Sequence, residues 1–304
     1  MPPQLPAIEF AGGWGVRGDQ PGQLERPVGL AADAAGRIYV ADRSTGFVQK
    51  FEAGGTNLLT FEDAAAREAS AIAVDSGGGI YVANARAGEI SVFFPEGDLL
   101  RVFHVAPQRG FEGPYGFSVG VDGRLFVPDP AGGKIEVLSS RGRLEKTWNV
   151  AAAMAMPREQ ARPVIAVAGG DGFVYVAEAR TGRIVKLTGA GEASPSWRQT
   201  ASDSAPLLAL AISPKYLFAL RSASPRLQVW TLNGELRLSD DLGGRLSVAP
   251  SESAAAGSTS SEGVSRGIPP GMPASMALSP RGELFILDPS VPRVLRFRIH
   301  LDPS

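Results

Sequence analysis

This chain has no cysteine and only two histidines, His104 and His300, among 304 residues. The first absence excludes disulfides and thiolate zinc sites, and it fits either a reducing or an oxidising compartment. The second leaves little for acid–base or metal chemistry that runs through imidazole. Lysine is scarce too, with five against 25 arginines. No apolar run approaches the ~20 residues that cross a bilayer, so a soluble chain without a transmembrane segment is expected. The opening residues, MPPQLPAIEF, have neither a basic segment nor an apolar one, so no signal peptide is expected; the compartment stays open, an exported location included. Thirty basic and 31 acidic residues leave a net charge of −1. Nucleic-acid modules are basic overall or carry an uncompensated basic stripe, so nucleic acid is not an expected partner.

What the chain has in quantity is a repeat. The stretch PVGLAADAAGRIYVAD, Pro27 to Asp42, holds the tetrad IYVA at Ile38. It returns as IYVA at Ile80, LFVP at Leu125, VYVA at Val174, LFAL at Leu217 and LFIL at Leu284. The second position is aromatic each time: Tyr39, Tyr81, Phe126, Tyr175, Phe218 and Phe285. A strand with one wet face alternates apolar and polar residues, so a tetrad that is apolar throughout is covered on both faces. The starts recur every 42 to 49 residues, with one interval of 67 before the sixth. That period belongs to four-stranded propeller blades. Units this short bury too little surface to fold alone, and a blade stacked between two others buries both of its faces.

The expected fold class is therefore all-β: a single six-bladed propeller of four-stranded antiparallel blades over residues 1–304. The segment AIEFAGGWG, Ala7 to Gly15, matches the strand that ends each full unit, as TNLLTF at Thr56 and DLLRVF at Asp98 do. The C-terminal VLRFRIHL, from Val294, reads as a third strand with no fourth behind it. The two ends then complete one blade and close the ring, removing an open edge. Unit five has Ser213-Pro214-Lys215 where the others have a Gly turn. The extra length before the sixth tetrad, 251–263, has no strand or helix period and is expected to form a mobile loop between blades five and six.

These repeats resemble the NHL-repeat family. The first, GDQPGQLERPVGLAADAAGRIYVAD from Gly18 to Asp42, follows the family's Gly-rich lead, its Pro-x-Gly inner strand and its Ile-Tyr-Val-Ala-Asp second strand. The second, AIAVDSGGGIYVAN from Ala71 to Asn84, and the fourth are recognisable, and the fifth and sixth are degenerate. The resemblance implies a six-bladed propeller. For activity it implies several classes at once: protein-binding scaffolds, RNA-binding modules, lyases and lactonase-like relatives.

The related lyases hold a metal through several histidines, whereas the two here lie at the end of an outer strand and in the terminal third strand. Neither is placed to converge on a central channel. The lactonase-like relatives hold calcium through carboxylates and amides at the channel mouth. The inner strands that start at Pro27, Ala71, Pro114, Pro163, Pro206 and Pro273 bring no Asp or Glu there. The nearest acids, Glu25, Glu68, Glu112 and Glu159, precede their strands and form the weak metal set of an alternative reading, a calcium-dependent lactonase. No Ser-His-Asp set or phosphate-binding loop is evident, so a non-catalytic role without a cofactor is the leading expectation.

The arginines gather in the loop after the tetrad or the one before the inner strand: Arg43, Arg86, Arg180, Arg221, Arg226 and Arg293, with Arg26, Arg109, Arg158 and Arg162. Strands alternate direction within a blade, so both sets of loops leave on one face. Guanidinium forks pair bidentately with carboxylate or phosphate. The face therefore reads as a binding surface for a protein or peptide partner, or a glycan, on a monomeric ring. The competing reading is that Asp42, Asp129, Glu178 and Asp288, which follow the tetrads, neutralise these arginines in weak ion pairs. The four tryptophans, Trp14, Trp148, Trp197 and Trp230, fit packing between blades better than a ligand cage.

Overall fold

The computed structural model describes residues 7–105, 116–178, 180–197, 199, 205–222, 226–242, 275–288 and 291–301. The 251–263 segment lies outside them. Six antiparallel sheets follow one another along the chain. Blade one is β2 (Pro27–Ala32), β3 (Ile38–Asp42), β4 (Phe47–Phe51) and β5 (Asn57–Glu62); blade two is β6 (Ala71–Val74), β7 (Ile80–Asn84), β8 (Glu89–Phe93) and β9 (Leu99–His104). Blade three is β10 (Ser118–Val119), β11 (Leu125–Asp129), β12 (Lys134–Leu138) and β13 (Leu144–Asn149), and blade four is β14 (Pro163–Ala168), β15 (Val174–Glu178) and β16 (Ile184–Leu187). Blade five is β17 (Leu207–Ile212), β18 (Tyr216–Arg221), β19 (Arg226–Thr231) and β20 (Leu236–Asp241). Blade six joins β21 (Met276–Leu278), β22 (Glu283–Asp288) and β23 (Arg293–His300) to the N-terminal strand β1 (Ala7–Trp14), which closes the ring. Two single-turn helices, α1 (Ala64–Arg67) and α2 (Val150–Ala153), lie between blades one and two and between blades three and four.

Blade four has three strands among the described residues. Where the other blades add a fourth, Ala193 bridges Leu187, Ser194 donates its N–H to the Lys186 carbonyl, and the Trp197 indole donates to the Ile184 carbonyl at 3.0 Å. The inner strands touch their neighbours in a circle, β2 to β6, β10, β14, β17, β21 and back to β2.

Each tetrad is apolar throughout because its residues face two different blades. In β3, Ile38 and Val40 pack with Phe285 and Leu287 of blade six, while Tyr39 and Ala41 pack with Ile72 and Ile80 of blade two. Aromatics on the outer strands, and Trp197 where blade four lacks one among the described residues, bind neighbouring blades. Trp14 stacks on Phe51 of blade one at 4.6 Å, Phe61 on Phe93 of blade two at 5.0 Å, and Trp197 lies 6.3 Å from Trp230 of blade five. The hairpin glycine that follows Phe51, Gly55, has φ +95° and lies against the Trp14 ring, where a Cβ would come within 2.5 Å. The position demands glycine both for its backbone and for its space.

The tetrad tyrosines have a polar task as well. Tyr39, Tyr81 and Tyr175 each donate a hydrogen bond of 3.0 Å to an aspartate in the turn before the tetrad: Asp33, Asp75 and Asp171. The same aspartates accept main-chain N–H groups of their turns, from Arg37, from Gly77 and Gly79, and from Phe173. Burial, then the bonded carboxylate of Asp75, pushes the Tyr81 phenol up to about 12; Tyr39 and Tyr175 are raised further for the same two causes, burial first. A pKa higher in the folded than in the unfolded state stabilises the fold below the unfolded value, near 10, and loses that contribution as pH rises through the folded one. Melting temperature should therefore fall steadily from pH ~10 to ~12, with Tyr81 alone accounting for on the order of 2 kcal/mol. Absorbance titration at the tyrosinate band should show these phenols ionising only as the fold is lost. Three ordinary titrations near pH 10 in a still-folded chain would contradict the arrangement.

Candidate functional site

The ring has a central channel and two faces. The inner strands of all six blades line a cavity of about 280 Å³ whose walls include Leu30, Ile72, Phe117, Ile165, Leu210 and Met276. Among the described residues, no acid, base or histidine side chain lines it. Its two serines are taken: Ser275 Oγ accepts from Leu30 N at 2.9 Å across the blade six to blade one seam, and Ser118 Oγ accepts from Ala168 N at 2.9 Å.

The face with the loops after the second and fourth strands carries the arginines, and the structure divides them into three kinds. Arg86, Arg180 and Arg226 are exposed, with Arg26, Arg158 and Arg162 on the same face. Arg86 stands 4.0 Å from Glu68, and Arg158 Nε donates to the Gly132 carbonyl at 3.2 Å. Arg43 and Arg293 are half-buried and tied down. Arg43 Nε and Nη2 both donate to the Ala69 carbonyl, the former at 2.9 Å, which anchors the connection into blade two. Burial, then the nearby Arg26 charge, lowers its pKa, with Glu68 opposing the shift. Arg26, Arg43, Glu68 and Arg86 thus form one neighbourhood. Arg293 pairs with Asp288 at 3.2 Å.

Arg221 is the third kind and corrects the expectation of an exposed rim residue. It is 0% exposed, and its guanidinium donates to Gln228 Oε1 at 2.6 Å, the Ala205 carbonyl at 2.8 Å and the Gly182 carbonyl at 3.2 Å. It holds blade five to blade four and has no surface to offer a partner. Arg109 lies outside the described residues.

Among the described residues, three of the four acids that follow the tetrads do not pair with the arginines of this face. Asp42 is buried and accepts from Glu25 N, Arg26 N, Ser44 N and Thr45 N at 2.7–3.2 Å. Glu178 is buried and accepts from Arg180 N, Thr181 N and Thr181 Oγ1. Asp129 accepts from Gly132 N and pairs with Lys134 at 3.5 Å. Asp288 alone among the four pairs with an arginine, Arg293, among the described residues. These carboxylates are caps for the turns, which satisfies N–H groups that would otherwise be buried without acceptors. The sequence signal for this was the acid at the first position of a tight turn, which reads as a cap as readily as an ion-pair partner.

The candidate metal set does not assemble. Glu25 stands 3.6 Å from Arg17, Glu68 faces Arg86, Glu159 is exposed, and Glu112 lies outside the described residues. No group of three or more His, Asp or Glu side chains among the described residues could hold a metal ion. The described residues do not bring together a carboxylate set of the kind that would hold calcium. His104 and His300 are at the outer margin, 3.5 Å from Glu89 and 3.3 Å from Glu9.

A family profile described as NHL repeat matches residues 24–51, which span β2 to β4. No curated protein sequence matches the chain. Among solved structures, a streptogramin B lyase is similar at 13% identity with a TM-score of 0.63, covering 97% of this chain and 98% of that one. A catalytically inactive virginiamycin B lyase from Staphylococcus aureus, with quinupristin, is similar at 12% identity and TM-score 0.61, covering 98% and 89%. The WD40 β-propeller domain of Doa1 follows at 11% identity and TM-score 0.57, covering 89% and 78%. At these identities the likeness is one of fold. No helix among the described residues is long and apolar enough to cross a membrane.

Proposed function

We propose that this chain is a non-catalytic binding propeller that holds an acidic protein or peptide partner on the face bearing Arg26, Arg86, Arg180 and Arg226. The observation that carries the reading is the burial of the turn acids. With Asp42 and Glu178 capping main-chain N–H groups, neither takes up an arginine among the described residues, and apart from the long 4.0 Å contact of Arg86 with Glu68 the exposed guanidiniums keep their donors for an outside carboxylate. The rigid ring sets these side chains on loops of one face, the usual division between scaffold and recognition surface. The lyase activity named for two structural neighbours does not transfer through a shared fold, and the acid–base groups among the described residues form no metal-holding cluster to carry it.

The test uses a fluorescein-labelled hexaglutamate peptide, with hexalysine as the control, followed by anisotropy at two salt concentrations. Converting Arg26, Arg86, Arg180 and Arg226 together to Ala should weaken hexaglutamate binding by about tenfold or more, and what remains should depend less on salt. The four positions are exposed, so each substitution should change stability by no more than about 0.5 kcal/mol. Equal affinity of the quadruple variant and the parent, or preference for hexalysine, would remove the arginine face as the working surface.

A further inference from the structure

The opposite face carries a second concavity. A cavity of about 440 Å³ opens at the mouth formed by the turns between first and second strands of blades one, two, five and six. Its lining includes Val74, Ile212 and Leu278, with Pro214 and Pro280 and the two turn aspartates Asp33 and Asp75. Val74, Ile212 and Leu278 also line the channel cavity beneath, so the apolar surface continues inward from the mouth. A volume of this order suits a small ligand, and pockets of this kind combine apolar walls with a few placed polar groups.

The placed polar group is Asp75, and the repeat itself supplies the control. Four blades put an aspartate in this turn. Asp33 pairs with Arg37 at 2.6 Å, Asp122 with Arg124 at 2.7 Å and Asp171 with Lys186 at 3.0 Å. Asp75 accepts only Gly77 N, Gly79 N and the Tyr81 hydroxyl and has no cationic partner among the described residues. The cause is visible in the sequence. Gly79 stands just before the tetrad where blades one and three have Arg37 and Arg124, and Val92 stands opposite the tetrad tyrosine where blade four has Lys186. A carboxylate has about four acceptor sites, and three donors leave one to fill. Among the described residues, no basic side chain lines the cavity. We infer that this mouth is a binding site for a small aliphatic cation, a primary amine or a lysine-like side chain. Its ammonium would lie against Asp75 and its methylenes against Val74, Ile212 and Leu278.

The probe is n-hexylamine, with n-hexanol as its neutral counterpart and n-propylamine as the short one, titrated by calorimetry and ligand-observed NMR. Expected are one site per chain, affinity rising from propylamine to hexylamine, and hexanol weaker by about tenfold or more. Asp75→Asn keeps the acceptor that caps the turn but loses the charge. The exposed Ser76→Lys leaves Asp75 in place and supplies an internal cation. Both should weaken hexylamine by about tenfold without a comparable change in melting temperature. Hexylamine binding that survives both substitutions, hexanol binding as well as the amine, or no saturable binding would each overturn the assignment.

Discussion

Removing residues 1–14 is expected to turn a folded ring into an aggregating chain. β1 pairs with β23 over its length, from Ala7 opposite His300 to Trp14 opposite Val294, with one irregularity between Phe10 and Gly12. Without it, the outer edge of blade six becomes a strand whose Val294, Leu295 and Phe297 are fully buried in the intact ring. The other outer strands mix charged or polar residues such as Glu145, Lys146, Arg237 and Ser239 with exposed apolar ones such as Leu58, Leu99 and Leu144, and none of these apolar side chains is fully buried. β23 pairs on both sides; it carries Arg296 and Arg298, but its Val294, Leu295 and Phe297 lose cover when β1 is removed. The loss reaches beyond one blade. Ile8 belongs to an apolar cluster that joins blades five and six, and Trp14 packs on Phe51 and under Gly55 of blade one. Each large apolar side chain uncovered costs about 1.5–3 kcal/mol. Two or three of them lower the melting temperature by roughly 10 °C or more and leave an apolar edge open to pairing with another chain. Size-exclusion chromatography and thermal melting of the truncated chain measure both effects. A monomer with the parent melting temperature would mean that the ring is not held shut by this strand.

The closure was legible because the sequence repeats. Six tetrads gave six second strands, and counting strands from the first tetrad left a third strand at the C-terminus and an unpaired outer strand at the N-terminus. The pairing of Ala7–Trp14 with Arg293–His300 follows that arithmetic. Residues whose role is set by local spacing were read in the same way. Trp14, Trp148 and Trp230 lie on outer or third strands, and their rings pack within and between blades.

The site was legible only in part, because charge has no period. A sequence places an arginine after a tetrad; it does not say whether the side chain reaches out to water or back to a carbonyl. Arg180 and Arg43 occupy matching loops, yet one is exposed and the other is fixed to Ala69. The acids at the turns were equally ambiguous. Asp42 and Glu178 are within reach of arginines in sequence, but four and three donors respectively surround them in space. Main-chain N–H groups in a tight turn are closer and already oriented, so they take the carboxylate first.

Arg221→Ala should be the most destabilising single arginine substitution in the chain, by about 3–5 kcal/mol. At the position where other blades carry Asp42, Asn84, Asp129, Glu178 and Asp288, blade five reverses the polarity. The other residues accept N–H groups; Arg221 donates to carbonyls. Its Nη2 reaches Gly182 in the turn of blade four, its Nη1 reaches Ala205 in the connection between the blades, and its Nε reaches Gln228 on the neighbouring strand. Truncation leaves these acceptors buried without their donors, each at about 1–3 kcal/mol, and opens a void where the side chain was fully enclosed. Arg221→Met separates the two costs, since it restores most of the volume and none of the hydrogen bonds. Lysine should recover little, because a single ammonium cannot match the span of a planar fork across two blades. The neighbouring Gly182 gives an independent handle. Its φ is +61°, and a Cβ there would lie 2.3 Å from Arg221 Nη1 and 2.4 Å from the Ala205 oxygen. Gly182→Ala should therefore disturb the same latch, and the double variant with Arg221→Met should cost less than the sum of the two single changes. Denaturant unfolding of the four proteins measures this directly. Additive effects, or an Arg221→Ala protein that unfolds at the parent midpoint, would show that the guanidinium does not hold blades four and five together.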